Sequence, residues 1–264
     1  MPATKLFQGR RRSGQGRSKL PALLLLVWLQ PADAQLAEPA PEARLPYSAS
    51  SPAWLQMVGR LDGPGFKYEQ GRRIHHRENC SATLVSRQGT REAQHIVTAW
   101  HCLEYYRDLS MTITFSLPNL SPQPEVREAR ALVDGGSMNA DWAILRLVEP
   151  VAFSPSSAVT IGPANHTTGS STLVMAGYSR DKGLGRSGQA LTYHENCRQL
   201  DDDQRASAHT NCQAYKGASG GPVVRYHADG AAYLAGVISE GNSEGTSTYV
   251  PIARFRTLLN NYLS

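Results

Sequence analysis

Short apolar runs broken at Gly, Pro, Asn or Asp dominate the chain, and the pattern is that of strands. Between Met57 and Leu147 six such runs follow one another: Met57 to Leu61, Ala82 to Ser86, His95 to Thr98, Met111 to Leu117, Val126 to Val133 and Trp142 to Leu147. Met111-Thr112-Ile113-Thr114-Phe115-Ser116-Leu117 alternates strictly, which turns one face to a core and the other to water. Six more runs follow: Val159 to Ile161, Leu173 to Tyr178, Ala190 to Tyr193, Pro222 to Tyr226, Ala232 to Ser239 and Ser247 to Ile252. Asp229-Gly230 predicts the turn between two of them. The chain closes on a helical pattern, with Ile252, Phe255, Leu258, Leu259 and Tyr262 on one face. The fold class is all-β with a C-terminal α-helix.

The amino-terminal pattern differs. Five basic residues up to Arg17, then Lys19, precede the apolar run Leu20 to Leu29, and Ala32-Asp33-Ala34 is a small-residue cleavage site. Residues 1–34 read as a signal peptide cleaved after Ala34, which implies a secreted or periplasmic chain without stable membrane insertion after cleavage. Residues 35–53, rich in Ala and Pro, read as a linker or short propeptide, with order expected to begin near Trp54. The formal charge of the whole chain is +5, but six of the 27 Lys and Arg and one of the 22 acids lie in the leader. The remainder carries 21 of each sign, so charge gives no case for nucleic acid or an anionic membrane as partner.

Candidate chemistry centres on Gly217-Ala218-Ser219-Gly220-Gly221-Pro222, one hydroxyl among residues too small to hinder an approaching carbonyl. The flanking glycines let backbone amides turn inward, and Gly217 and Ser219 are the candidates to bind a developing oxyanion. A flexible Gly-Ser turn is the plain alternative on these residues alone. A serine nucleophile needs a base and a group that orients the base. His101, at the end of His95-Ile96-Val97-Thr98-Ala99-Trp100-His101-Cys102, and Asp141, heading Asp141-Trp142-Ala143-Ile144-Leu145-Arg146-Leu147, supply both upstream.

Those three segments, in the order histidine, aspartate, serine, resemble the trypsin/chymotrypsin family of serine proteases. Gly217-Ala218-Ser219-Gly220-Gly221 also fits the nucleophile elbow of α/β-hydrolases, but that fold places its acid and histidine after the serine. Here the only histidine after Ser219 is His227 and the only aspartate is Asp229, in the wrong order. The resemblance implies two six-stranded antiparallel barrels, 54–150 and 151–264, with His101 and Asp141 from the first and Ser219 from the second. It implies a secreted endopeptidase acting through an acyl-enzyme on protein or peptide, monomeric and without cofactor or metal. A catalytically silent binding protein on the same scaffold is the alternative.

The family bridges the cysteine beside its histidine, which pairs Cys80 with Cys102. Cys197 and Cys212 occur in a repeated His-x-x-Cys, with His194 and His209, and offer zinc-ligand types. An exported chain with four cysteines favours a second disulfide. His75-His76 reads as an exposed loop pair. Val237-Ile238-Ser239-Glu240-Gly241 resembles the strand that pairs with substrate, with Ser239, Glu240 and Gly241 as substrate-binding candidates and Ser239 reaching toward Asp141.

The departures from animal trypsins are informative. Ala218 stands where those enzymes carry the aspartate that receives a newly cleaved N-terminus, so no such zymogen switch is expected. The pattern is closer to the bacterial secreted branch with its glutamyl endopeptidases. Gln213 occupies the pocket position at which trypsins place an aspartate, and Ile238 the position of the glutamyl enzymes' histidine, so neither a basic nor a glutamyl preference is expected. Glu240 and Glu244 read as solvated loop acids. Asn79, Asn119 and Asn165 head glycosylation sequons.

Overall fold

The computed structural model describes residues 41–106, 110–162, 172–202, 206–227, 230–242 and 245–264. The leader with its cleavage site, Asp229, Glu244 and Asn165 lie outside the described residues.

A short strand, β1 (Leu45–Pro46), comes first, and a 3-10 turn at Ala53–Met57 leads into the first barrel. That barrel is built from β2 (Val58–Glu69), β3 (Arg72–Val85), β4 (Glu92–Thr98), β5 (Ile113–Leu117), β6 (Glu125–Asp134) and β7 (Ala143–Ala152). All pairings are antiparallel in the order β2-β3-β4-β7-β6-β5, and β2 pairs with β5 to close the ring. Closure removes free strand edges within the ring, while among the described residues the outer halves of β2 and β3 pair only with each other.

The alternation in β5 has its expected result: Ile113, Phe115 and Leu117 are buried while Thr114 and Ser116 are half-exposed. Each such side chain contributes about 1.5–3 kcal/mol by leaving water. Leu61, Leu84, Ile96, Leu145 and Leu147 meet them in the barrel interior.

After β8 (Val159–Thr160), the second barrel uses β9 (Thr172–Gly177), β10 (Thr192–Asp202), β11 (Ala208–Thr210), β12 (Pro222–Tyr226), β13 (Ala232–Gly241) and β14 (Ser247–Pro251). Its antiparallel ring runs β9-β10-β11-β14-β13-β12 and closes where β12 pairs with β9. α1 (Arg256–Leu263) ends the chain. Phe255, just before it, stacks on Trp142 with ring centroids 5.3 Å apart, so the helix start is packed beside Asp141.

Four expectations change. The run Val159 to Ile161 is not a barrel strand: β8 pairs in parallel with β13, and Ser86 bridges to Thr160, tying it to the first barrel. Its barrel place is taken by β11, whose three residues are too few to show a period. His75 and His76 lie in β3, in a long hairpin turned at Gln70 and Gly71, where φ is positive at both. The outer halves of its strands, from Phe66 in β2 and up to Asn79 in β3, bury no face. Leu258 is exposed at 39%, while Leu259 is fully buried, because the eight-residue helix presents a narrower face than its apolar residues suggest. Finally, docked chain begins well before Trp54: Leu45 and Pro46 pair with Tyr193 and Thr192, and Tyr47 donates its N–H to the Leu191 carbonyl.

Candidate active site

His101 lies in the 3-10 turn Trp100–Leu103 that follows β4. The turn is stapled to β3 by the Cys80–Cys102 disulfide, which on the chain-entropy argument contributes about 3 kcal/mol. Asp141 precedes β7 and is 0% exposed. Its Oδ1 accepts the His101 backbone N–H at 2.9 Å, and the two carboxylate oxygens lie 3.1 and 2.9 Å from the His101 Nδ1. A carboxylate can only accept, so Nδ1 carries the proton and Nε2 is left as an acceptor when the ring is neutral. Ser239, from β13 of the other barrel, donates its hydroxyl to Asp141 Oδ2 at 2.5 Å.

These contacts set the charge states. Burial alone would push the His101 imidazole down, but the Asp141 hydrogen bond and charge, helped by Glu78 and Glu240, hold it above the ordinary histidine value. For Asp141, burial pushes the carboxyl up, and the His101 ring, the Ser239 hydroxyl and the His101 amide together bring it below the usual carboxylate range. Asp141 is therefore a buried anion whose acceptor sites are filled, the condition under which such burial is tolerated.

Ser219 sits in the tight connection before β12. Its carbonyl accepts the Ser81 N–H at 2.8 Å, and the Gly217 carbonyl accepts the Ser81 hydroxyl at 2.9 Å. One β3 serine thus holds the loop of the second barrel against the first. Two glycines make the approach possible. Gly217 has φ +98°, and a Cβ there would lie 2.6 Å from the Tyr178 carbonyl oxygen; Gly220 has φ +81°, and a Cβ would lie 2.1 Å from Thr98 Oγ1. Arg180 donates its N–H to the Lys216 carbonyl at 2.6 Å. In a planar trans peptide the N–H points opposite to the carbonyl, so this bond turns the Gly217 N–H away from Arg180.

His101, Ser219, Ser239, Glu240 and Gly241 line one cleft of about 310 Å³, together with Met138, Tyr215 and Lys216. The last three were missed in the sequence; Tyr215 and Lys216 had proximity to Ser219 as a signal, Met138 had none. Gln213 is placed differently. It is buried, and its side-chain amide donates to the Pro41 carbonyl at 2.8 Å and accepts from the Ala43 N–H at 2.7 Å. Ile238 is buried in the core beneath the serine loop with Leu173, Met175, Val223 and Tyr249.

Cys197 and Cys212 are joined, with S–S at 2.03 Å, so their sulfurs serve each other and not a metal. His194 accepts the Gln213 N–H on its Nδ1 at 2.9 Å, while His209 pairs with Asp201, also at 2.9 Å. The two His-x-x-Cys segments therefore do not converge on one tetrahedral centre.

Two closed barrels with an acid–histidine pair on one and a serine turn on the other define the chymotrypsin-like architecture. Residues 80–232 match the family model of the trypsin-like peptidase domain, more than half of the chain, and the chain belongs to that family. No curated protein matches it.

Proposed function

We propose that this chain is a serine endopeptidase in which His101 is the general base, Asp141 orients it, and Ser219 is the nucleophile. The observation that carries the reading is the carboxylate of Asp141, fully buried, holding His101 by ring and backbone together while Ser219 shares its cleft. His101 takes the Ser219 proton as the hydroxyl oxygen attacks a peptide carbonyl. The same proton then goes to the amine as the C–N bond breaks, and water reverses the sequence to free the acyl group. Asp141 stabilises the imidazolium that exists between these transfers. The N–H groups of Gly217 and Ser219 receive the oxyanion, each worth about 3 kcal/mol of barrier.

Two disulfides fit a chain working where thiols are oxidised, in line with the leader-like residues 1–34 and a secreted or periplasmic location. Ala218, buried, offers no carboxylate for a new N-terminus, which favours kinship with the secreted bacterial branch over the animal trypsins. Digestion of an unfolded protein by the purified chain, abolished by Ser219→Ala, is the expected result. Persistence of the same digestion in Ser219→Ala would overturn the assignment.

A further inference from the structure

Arg44 belongs to a segment whose composition suggests a linker, yet it is only 4% exposed. Burying a guanidinium is costly unless its donors are met and its charge is paired. Here both conditions hold. Nε and Nη2 donate to the two carboxylate oxygens of Glu42 at 2.9 and 2.6 Å, Nη1 donates to Asp181 Oδ1 at 2.8 Å, and the guanidinium lies 3.8 Å over the Tyr215 ring. Asp181 is in turn held low by Arg44 against the upward push of burial. The strap around Arg44 is fastened on both sides, by Gln213 at Pro41 and Ala43 and by β10 at Leu45 and Pro46.

The two groups that Arg44 grips outside its own strap are sequence neighbours of one hydrogen bond. Asp181 follows Arg180, and Tyr215 precedes Lys216; the Arg180 N–H to the Lys216 carbonyl is the bond that sets the Lys216–Gly217 peptide plane. Tyr215 also accepts the Ala218 N–H on its carbonyl at 2.9 Å. Rotation of that peptide would withdraw the Gly217 N–H and bring the Lys216 carbonyl oxygen toward the developing oxyanion, replacing attraction by repulsion.

We propose that Arg44 is a positioning residue for the oxyanion site, acting through Asp181 and Tyr215 on the Lys216–Gly217 peptide. The strap is then part of the working enzyme. This inference rests on the reading of Ser219 as the nucleophile.

The test compares wild type, Arg44→Ala and Asp181→Asn on a peptide ester, with the rate of Ser219 labelling by a fluorophosphonate as a second readout. In Arg44→Ala, kcat and the labelling rate fall about 10²-fold, as when an oxyanion donor is lost, while KM stays within about twofold. Guanidinium chloride at tens of millimolar restores activity saturably by refilling the site, and tetramethylammonium chloride at equal ionic strength does not. Asp181→Asn keeps the shape, removes the charge, and lowers kcat about tenfold. A folded Arg44→Ala chain with wild-type kcat overturns the proposal and leaves the protease reading standing. If Arg44→Ala does not fold, unchanged kcat in Asp181→Asn overturns it instead. A wild-type chain that neither labels nor turns over removes the protease reading beneath it.

Discussion

Ser239 and Asp141 come from different barrels and meet at 2.5 Å, hydroxyl to carboxylate, so the strand that borders the cleft also holds the acid behind His101. Ser239→Ala leaves a buried carboxylate oxygen without that donor. The expected cost is about 1–3 kcal/mol in unfolding free energy, read by urea denaturation, with kcat reduced and KM little changed. Wild-type stability in this variant would show that the bond contributes nothing.

The hold of Asp141 on His101 makes activity pH-dependent in a definite direction. In the proposed mechanism the neutral ring is the base, and its pKa lies above the ordinary histidine value near 6.5, so kcat/KM is expected to climb through the pH range above that value and to fall on the acid side. Asp141→Asn removes the charge that raises it. The acid limb moves to lower pH, and kcat drops roughly 10⁴-fold with the fold intact. A pH–rate profile unmoved by the substitution contradicts the pairing.

The same pair contributes to stability with opposite signs of pH dependence. The contribution of Asp141, whose pKa is lowered on folding, is present above about pH 3.9 and is lost as pH falls through the lower folded value. That of His101, raised on folding, is full below about 6.5 and is lost as pH rises through the folded value. Thermal melts of wild type against Asp141→Asn should converge at the acid end, separate most at intermediate pH, and keep a smaller separation at alkaline pH, where the contribution of Asp141 remains.

Gly241 lies against Ala214 so closely that a Cβ on it would be 2.1 Å from the Ala214 carbonyl oxygen. Gln213 is engaged by the strap and offers no side chain to the cleft. Peptide-library cleavage is expected to favour Gly, Ala or Ser immediately before the scissile bond, at least tenfold over Phe, Arg or Glu, since overpacking a closed wall costs about 1–3 kcal/mol. Efficient cleavage after Arg or Phe would mean that the wall opens.

Gly220 is the least replaceable residue of the serine turn. Gly220→Ala sets a Cβ within 2.2 Å of the Ser81 carbonyl oxygen and Thr98 Oγ1 at φ +81°. Loss of the cooperative melt, or a large drop in Tm, is expected, whereas a wild-type melt would contradict the tight apposition of the barrels at Ser81.

How much of this was legible depends on the kind of interaction. β5 announced itself because a half-buried strand writes its two faces into alternate residues. The outer halves of β2 and β3 did not, since both their faces are largely polar, and β11 is too short for any period. His101, Asp141 and Ser219 stood out because nucleophile chemistry restricts residue type and because their order matches that of the family they resemble. Arg44 did not. Its role depends on partners 137 and 171 residues away in sequence, and a single Arg in a Pro- and Ala-rich stretch carries no local mark of burial. Gln213 illustrates the converse: its sequence position pointed to a substrate pocket, while its amide is spent on the backbone of the strap.

The most direct test of the central claim is covalent labelling of the purified protein with a fluorophosphonate, the adduct located by mass spectrometry, with Ser219→Ala and His101→Ala as controls. A single adduct on Ser219, absent from the first variant and strongly slowed in the second, is the predicted result. A folded wild-type chain that stays unlabelled, or is labelled elsewhere, would contradict the account.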